Sequence, residues 1–171
     1  MKILSRHVLR DHVAIGGILA LISIPLWGVK SSFVFWLANV LIDLDHYLRF
    51  IYLTKFKVLG INAMFRFYEE LFSQRYHPDF LTLEFFHTLE FITSIGIFGF
   101  FFPMLFGPVF WGLSFHIGVD LVHLARSKIL NKRAHSFAEY FCRRKKIILR
   151  GGDPNLVFAN AMARVGIPHI I

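Results

Sequence analysis

The sequence contains a single cysteine, Cys142, among its 171 residues. One cysteine excludes a disulfide framework, and it also excludes a zinc ribbon built from cysteine pairs. Charged residues are scarce at 18%, whereas apolar residues make up 56% of the chain. This composition excludes a disordered or collagen-like chain. The sequence has no internal repeat and no low-complexity linker, and its length is typical of one domain.

Phenylalanine is abundant instead, with 21 residues, and aromatic residues reach 17% of the chain. A soluble domain of this size has difficulty covering so much apolar surface with so few charges. The chain is also basic, with 19 Lys and Arg against 11 Asp and Glu. High hydropathy with basic flanks indicates a membrane protein first and a nucleic-acid-binding protein only second.

Four apolar runs predict four transmembrane helices, because each run is near the roughly 20 residues that a bilayer crossing needs. The runs are 13–27, 32–42 with a continuation to 53, 80–102, and 109–124. The first run has the basic upstream flank of a signal peptide, but no small-x-small cleavage pattern follows it. We therefore predict an uncleaved helix, followed by a turn that contains Gly28.

Lys and Arg are distributed very unevenly over this four-helix topology. Eighteen of the 19 lie before Leu19, in the segment 47–80 or after His123, and only Lys30 lies on the other side. By the positive-inside rule, both termini and the segment 47–80 face the cytoplasm. We therefore expect a multi-pass inner-membrane protein of the all-α class, with an integral membrane four-helix bundle over residues 1–124.

Residues 125–171 are expected to form a basic cytoplasmic tail, helical over 134–149. A polybasic stretch beside a membrane contacts anionic lipid headgroups, at about 1 kcal/mol per charge near the surface. Without a recognisable nucleic-acid module, we expect lipids rather than nucleic acid as partners. The segment 47–80 is amphipathic over 56–72 and is expected to lie along the membrane as a lid. The oligomeric state stays open.

All four predicted helices carry ionisable side chains at their cytoplasmic ends, although a charge at the bilayer centre costs about 2.5–3.5 kcal/mol. The fourth helix presents His116, Asp120 and His123 on one face, since they are spaced i, i+4 and i+7. The topology brings the whole set to one depth, whereas chance would scatter it between both faces. The set comprises His12, Asp43, Asp45, His46, Glu84, His87, Glu90, His116, Asp120 and His123.

Spacing also groups the residues of the second and third helices. Asp43 and His46 are three residues apart and share a face, whereas Asp45 lies off that face and is expected to pair with Arg49. Glu84, His87 and Glu90 step by three and are expected to share a face of the third helix.

Histidine and carboxylate side chains gathered in one pocket are typical ligands of a divalent metal ion. The absence of cysteine from the set argues against a closed structural zinc site. We predict Zn²⁺, with Mn²⁺ or Fe²⁺ as alternatives, and one to three ions. The predicted metal ligands are His12, Asp43, His46, His87, His116 and Asp120.

The same residues resemble a known family. The Asp43-Leu44-Asp45-His46 run, His87-Thr88, and His116 with Asp120 resemble the small prokaryotic inner-membrane proteins grouped as membrane-bound metal-dependent hydrolases. The resemblance covers residues 11–124 and implies a hydrolase. The His-x-x-x-Asp spacing of His116 and Asp120 is also similar to that of zinc-dependent phospholipases C and related nucleases, which act on phosphoesters.

The first functional hypothesis is therefore a membrane-embedded hydrolase that acts on a lipid or an amphipathic, phosphate-containing ester at the cytoplasmic interface. The residues expected to orient ligands or to act as general base are Asp45, Glu84, Glu90 and His123.

Three other hypotheses are weaker. A metal-ion or proton pathway needs polar groups across the full membrane depth, but the outer halves of the helices are apolar. A haem bundle with His87 and His116 as axial ligands would not explain the carboxylates. A scaffold that docks partners through its tail leaves the polar cluster unexplained.

Overall fold

The structure is a computed structural model that describes residues 4–167, with side chains from Arg10 onward. It is mostly helical, which confirms the all-α class. Short 3₁₀ helices at Phe85–His87 and Leu130–Lys132 precede α4 and β2. The longer elements are α1 (Leu4–Leu41), α2 (Leu44–Leu53), α3 (Ile61–Ser73), β1 (Thr82–Leu83), α4 (Leu89–Phe101), α5 (Pro103–Arg126), β2 (Arg133–Ala134), α6 (Phe137–Leu149) and α7 (Leu156–Arg164).

Helix α1 is folded back on itself at Gly28, which interrupts the helix with φ 74° and ψ 164°. A positive φ is accessible to glycine because it has no Cβ. The predicted turn at this glycine is confirmed, and it separates two arms, 4–27 and 29–41. Ser23 Oγ donates a hydrogen bond to Ser32 Oγ at 2.8 Å, which joins the arms close to the turn.

The two arms run antiparallel and also meet at their far ends. Asn39 Nδ2 donates a hydrogen bond to the main-chain oxygen of His12 at 2.8 Å. Gly16 makes this approach possible, since a Cβ at that position would collide with the Asn39 amide. The hairpin therefore brings His12 beside the end of the second arm.

Helix α5 packs against the second arm of α1 through Gly112. A Cβ on this glycine would collide with the main-chain oxygen of Phe35 and lie 3.1 Å from Ala38 Cβ. Helix α4 packs on the other part of α5, where Gly96 accommodates the ring of Phe110. The close contact at Gly112 fixes the position of α5 along the second arm of α1. It thereby also fixes the position of His116, which lies one helical turn further along α5.

The third apolar helix begins at Leu89, not at residue 80 as the hydropathy predicts. The segment before it contains β1 and a 3₁₀ turn, and the Thr88 side chain caps α4 by accepting the Phe91 N–H at 3.3 Å. A Ser/Thr cap satisfies a free N–H and defines a helix start. The expected common helix face for Glu84, His87 and Glu90 is therefore wrong.

The segment 125–167 packs on the segment 47–80. Strand β1 pairs in parallel with β2, with Thr82 opposite Arg133. Helix α7 packs against α3, and their shared apolar core includes Phe67, Leu71, Val157 and Ala161, all of which are fully buried. The predicted tail helix corresponds to α6, which the Ser136 side chain caps.

The apolar surface of the long helices faces outward. The stretches Arg10–Leu53 and Pro103–Arg126 are long and apolar enough to cross a membrane, and only 17% and 22% of their most apolar windows are buried. Leu26, Phe100 and Met104, near the turns at the far end of the hairpins, are 81%, 83% and 88% exposed.

Candidate metal centre

His116 is held in one tautomer by the main chain of α1. Its Nδ1 lies 2.7 Å from the carbonyl oxygen of Asn39. A carbonyl oxygen only accepts, so Nδ1 carries the hydrogen and Nε2 of the neutral ring keeps a free electron pair. The side chain is fully buried, and Nε2 has no hydrogen-bond partner among the described residues. This arrangement is typical of a metal-ligating histidine.

His87 is held in the same way by a carboxylate. Its Nδ1 lies 3.0 Å from Asp45 Oδ2, and that oxygen also accepts the Phe86 N–H at 2.9 Å. Its Nε2 is buried and likewise lacks a hydrogen-bond partner in the described part of the chain. Burial lowers the pKa of His87 and nearby Arg133 lowers it further. A neutral ring is the form that binds metal.

The two free nitrogens converge on two carboxylates. Asp43 Oδ1 lies 3.4 Å from His116 Nε2 and 3.7 Å from His87 Nε2. Asp120 lies 3.5 Å from His87 Nε2 through Oδ2 and 3.9 Å from His116 Nε2 through Oδ1. Ligand atoms of a tetrahedral zinc site are about 3.3 Å apart, as bonds of 2.0–2.2 Å require. The four nitrogen–oxygen distances are close to this value, and the residue types suit a divalent ion.

His12 and His46 flank these four side chains. The His12 ring stacks on His116 with centroids 3.7 Å apart, and its Nε2 lies 3.1 Å from Asp120 Oδ1. His46 Nε2 lies 3.5 Å from Asp43 Oδ1. All six residues predicted as metal ligands are thus gathered in one cluster.

Glu84 contacts one residue of the cluster, His46, and also the neighbouring Arg49. Its two oxygens lie 3.4 Å from His46 Nδ1 and 3.0 Å from an Arg49 guanidinium nitrogen. Arg49 therefore pairs with Glu84, and the expected pairing of Arg49 with Asp45 is wrong. Burial raises the pKa of Glu84, but Arg49 and His46 outweigh it and lower the pKa to about 2. Glu84 is consequently an ionised, buried partner for Arg49 and His46.

The other predicted catalytic residues lie at the edge of the cluster or outside it. His123 is about one third exposed and lies 4.0 Å from Asp11 Oδ2. It lines a cavity together with Asp43 and Asp120. Glu90 is exposed and accepts the Phe137 N–H at 3.0 Å, at the start of α6. Glu90 therefore contacts the tail, and it belongs to none of the ligand groups found among the described residues.

Arg133 is a cluster residue that the sequence patterns do not indicate. It is buried, and one guanidinium nitrogen donates to Asp120 Oδ2 at 2.7 Å. Arg133 lies in the segment predicted to be a separate tail, and the β1–β2 pairing brings it to the cluster. The only available signal is indirect, because a buried group of carboxylates needs a nearby cation.

The described residues contain three groups that could each hold an ion, and two of these groups share His46. Within each group, the ligand atoms lie within 4.8 Å of one another. Asp43, His46 and Asp120 also line the neighbouring cavity. The groups are His12–His116–Asp120, Asp43–His46–His87 and Asp45–His46–Glu84. Imidazole nitrogen and carboxylate oxygen suit Zn²⁺, Mn²⁺ or Fe²⁺.

Comparison of the chain with protein-family models, with curated proteins and with solved structures finds no match in any of the three.

Proposed function

We propose that this chain is a multi-pass membrane protein whose two arms of α1, with α4 and α5, form a transmembrane four-helix bundle. The outward-facing apolar surface supports this proposal. In a soluble protein a long apolar helix is mostly buried, whereas the apolar windows here are 17% and 22% buried. Exposed apolar patches of this extent are typical of a lipid-facing surface.

The orientation proposed is with the cluster at the cytoplasmic side of an inner membrane. Eighteen of the 19 Lys and Arg belong to the end of the topology that carries the cluster. Cytoplasmic flanks are enriched in Lys and Arg. At the opposite turns Lys30 is the single Lys or Arg, and exposed side chains such as Leu26 and Met104 are apolar.

The proposed cofactor is one or more divalent ions, with zinc as the first candidate. Asp43, His87, His116 and Asp120 would hold the ion, with His12 and His46 as further ligands. One observation carries this proposal. His87 and His116 are each bonded through Nδ1, and each leaves a buried, unpartnered Nε2 within 3.9 Å of the carboxylates, as far as the described residues show.

The proposed activity is hydrolysis of an ester at the membrane interface, as the resemblance to membrane-bound metal-dependent hydrolases implies. A bound divalent ion would lower the pKa of its water to about 7 and would polarise the scissile group. Asp45 and the Asn39 carbonyl orient His87 and His116, and Glu84 orients His46. These three groups are engaged in positioning.

His123 is the proposed general base, because it lines the cavity and is partly exposed. It would remove a proton from the attacking water as the new bond from the water oxygen forms. The bond to the leaving oxygen then breaks, and the same proton passes from His123 to that oxygen. Water adds across one ester bond, and no oxidant or reductant is needed.

The test is the metal content of the detergent-purified protein, measured by mass spectrometry. We expect one to three equivalents of zinc or manganese in the wild type, and loss of metal in His116→Ala. His135→Ala is the matched control, because its imidazole belongs to none of the ligand groups found among the described residues and lies 3.3 Å from the Leu130 carbonyl. Metal retained in His116→Ala would overturn the ligand assignment. Absence of metal from all three proteins would overturn the proposed hydrolase activity and favour a metal-ion or proton pathway.

A further inference from the structure

A cavity of about 490 Å³ lies directly beside the cluster of predicted metal ligands. Asp43, His46 and Asp120 form part of its wall, and His123 lies at the same wall. The volume is within the range of about 300–1,000 Å³ that is typical of small-molecule sites. The cluster therefore borders a space large enough for an organic group.

Most of the remaining wall is apolar and comes from α1, α2, α3 and α5. The lining side chains Leu41, Leu44 and Ile61 are 49%, 45% and 60% exposed, so they mark the open side of the cavity. A mouth rimmed by aliphatic side chains suits a hydrocarbon chain better than a polar substrate. The other apolar lining residues are Val40, Met64, Phe65, Phe72, Phe80, Leu124 and Ile129.

Two cations line the cavity beside the carboxylates. The Arg133 side chain is 11% exposed and donates to Asp120 Oδ2 at 2.7 Å, yet its Nε–H is buried and unpartnered within the described part of the chain. Lys132 also lines the cavity, and its Nζ donates to the His77 carbonyl at 3.2 Å. A guanidinium with a free N–H is the side chain best suited to phosphate oxygens, which it binds through parallel hydrogen bonds.

We propose that this cavity binds a single-chain lipid phosphoester. The acyl chain lies along the apolar wall, and the phosphate oxygens lie between Arg133 and the proposed metal ligands. The inference rests on the proposed function, because it names the substrate class of that same site. It also gives Arg133 the role of a substrate-binding residue. A neutral carboxylic ester would leave the buried Nε–H without a charged partner.

The phosphate part is tested by equilibrium binding of two lipids to the full-length protein in a nonionic detergent. The probes are oleoyl glycerol phosphate and monooleoyl glycerol, which share the acyl chain. We expect the wild type to bind the phosphate lipid about tenfold more tightly or better, as a charge-assisted hydrogen bond allows. Arg133→Gln should lose this preference and keep its affinity for the neutral lipid. An undiminished preference in Arg133→Gln would overturn the assignment.

The acyl part is tested by a matched pair of tryptophan variants on α2. Leu44 and Leu48 are 45% and 44% exposed, but only Leu44 lines this cavity, whereas Leu48 lines a separate pocket with Asp45. Leu44→Trp should weaken binding of both lipids by about tenfold or more, since the larger side chain would fill part of the cavity mouth. Leu48→Trp should leave both affinities unchanged. Equal effects of the two variants would overturn the cavity assignment.

Soluble glycerol phosphate distinguishes a lipid site from a site for a small phosphate ester. At equal concentration it should not displace oleoyl glycerol phosphate, and displacement would overturn the lipid assignment. Metal content, measured on the same samples, separates this inference from the proposed function. If the wild type contains no metal but binds the phosphate lipid selectively, the proposed hydrolase activity is overturned and the proposed lipid site stands. If the protein contains metal but shows no preference for the phosphate lipid, the proposed lipid phosphoester site is overturned and the proposed metal site stands.

Discussion

Asp45 Oδ2 lies 3.0 Å from Nδ1 of His87, and this contact aims the opposite ring nitrogen at Asp43 and Asp120. The Phe86 N–H holds the same oxygen at 2.9 Å. Asp45 is therefore fixed by the main chain of the 3₁₀ turn while it fixes the imidazole. A carboxylate in this position sets the tautomer of a metal-binding histidine and raises its basicity.

Asp45→Asn should weaken zinc binding without abolishing it. The amide keeps the shape of the side chain but removes the charge that supports His87, and such changes cost about 10–100-fold in metal affinity. Zinc affinity, measured by competition with a chelator, checks the prediction. Glu90→Gln is the control, since Glu90 is exposed and contacts the start of α6. Equal zinc affinity in Asp45→Asn and the wild type would contradict a supporting role.

Gly112→Ala should destabilise the protein and lower its zinc content. The new Cβ would collide with the Phe35 carbonyl, so α5 must move away from α1 and carry His116 away from Asn39. Overpacking of this kind costs about 1–3 kcal/mol. Thermal unfolding in detergent and metal analysis measure the two effects.

Gly118→Ala is the matched control for that variant, because it lies on the same helix. A Cβ at Gly118 meets nothing within 4 Å in the described part of the structure. It should leave both properties unchanged or raise stability slightly, since alanine is the better helix former. A similar loss of zinc in both glycine variants would show that the close packing at Gly112 does not set the site.

Glu84→Gln should destabilise the protein most at neutral pH. The wild-type carboxylate is ionised because its pKa is about 2, and its loss leaves the largely buried Arg49 guanidinium without its carboxylate partner, with the Leu83 carbonyl as a neutral acceptor at 2.8 Å. Breaking a buried pair costs about 3–5 kcal/mol.

The cost of Glu84→Gln should shrink as the pH falls. A carboxyl whose pKa is lower in the folded state than its usual 4.5 stabilises the fold above pH 4.5 and loses this effect as the pH approaches 2. Unfolding temperatures at pH 7 and pH 3 give the comparison. Glu70→Gln, which removes a surface pair with Arg164, should change stability by about 0–1 kcal/mol at both values. A pH-independent cost at Glu84 would contradict the assignment.

His123→Ala should keep its zinc and lose hydrolytic activity. His123 lines the cavity but lies outside the ligand groups found in the described residues. Removing a general base lowers the rate by about 10²–10⁴-fold. Release of phosphate from oleoyl glycerol phosphate measures the rate. His135→Ala should match the wild type. Loss of zinc in His123→Ala would instead make His123 a ligand.

The gathering of the six predicted ligand residues could be predicted because helices constrain them locally. His116 and Asp120 share a face of α5 through their spacing alone, and the turn at Gly28 returns the chain so that Asn39 meets His12. Charge placement then predicts which helix ends belong together. These signals need only a helical period and a count of charges.

The segment before α4 and the position of Arg133 could not be predicted in this way. The apolar run of the sequence begins near residue 80, well before the helix. The Thr88 side chain accepts the free N–H of Phe91, and this cap determines where α4 starts. The pairing of Thr82 with Arg133 joins residues that are distant in sequence, and two-residue strands have no periodic pattern. Such contacts depend on the assembled tertiary structure.

The late position of Arg133 in the chain has a consequence for biogenesis. The ribosome releases every proposed metal ligand before it releases the guanidinium that neutralises Asp120. A nascent chain that stops short of β2 contains the complete ligand set, but its carboxylates lack their counter-charge. Completion of the cluster therefore waits for the synthesis of β2.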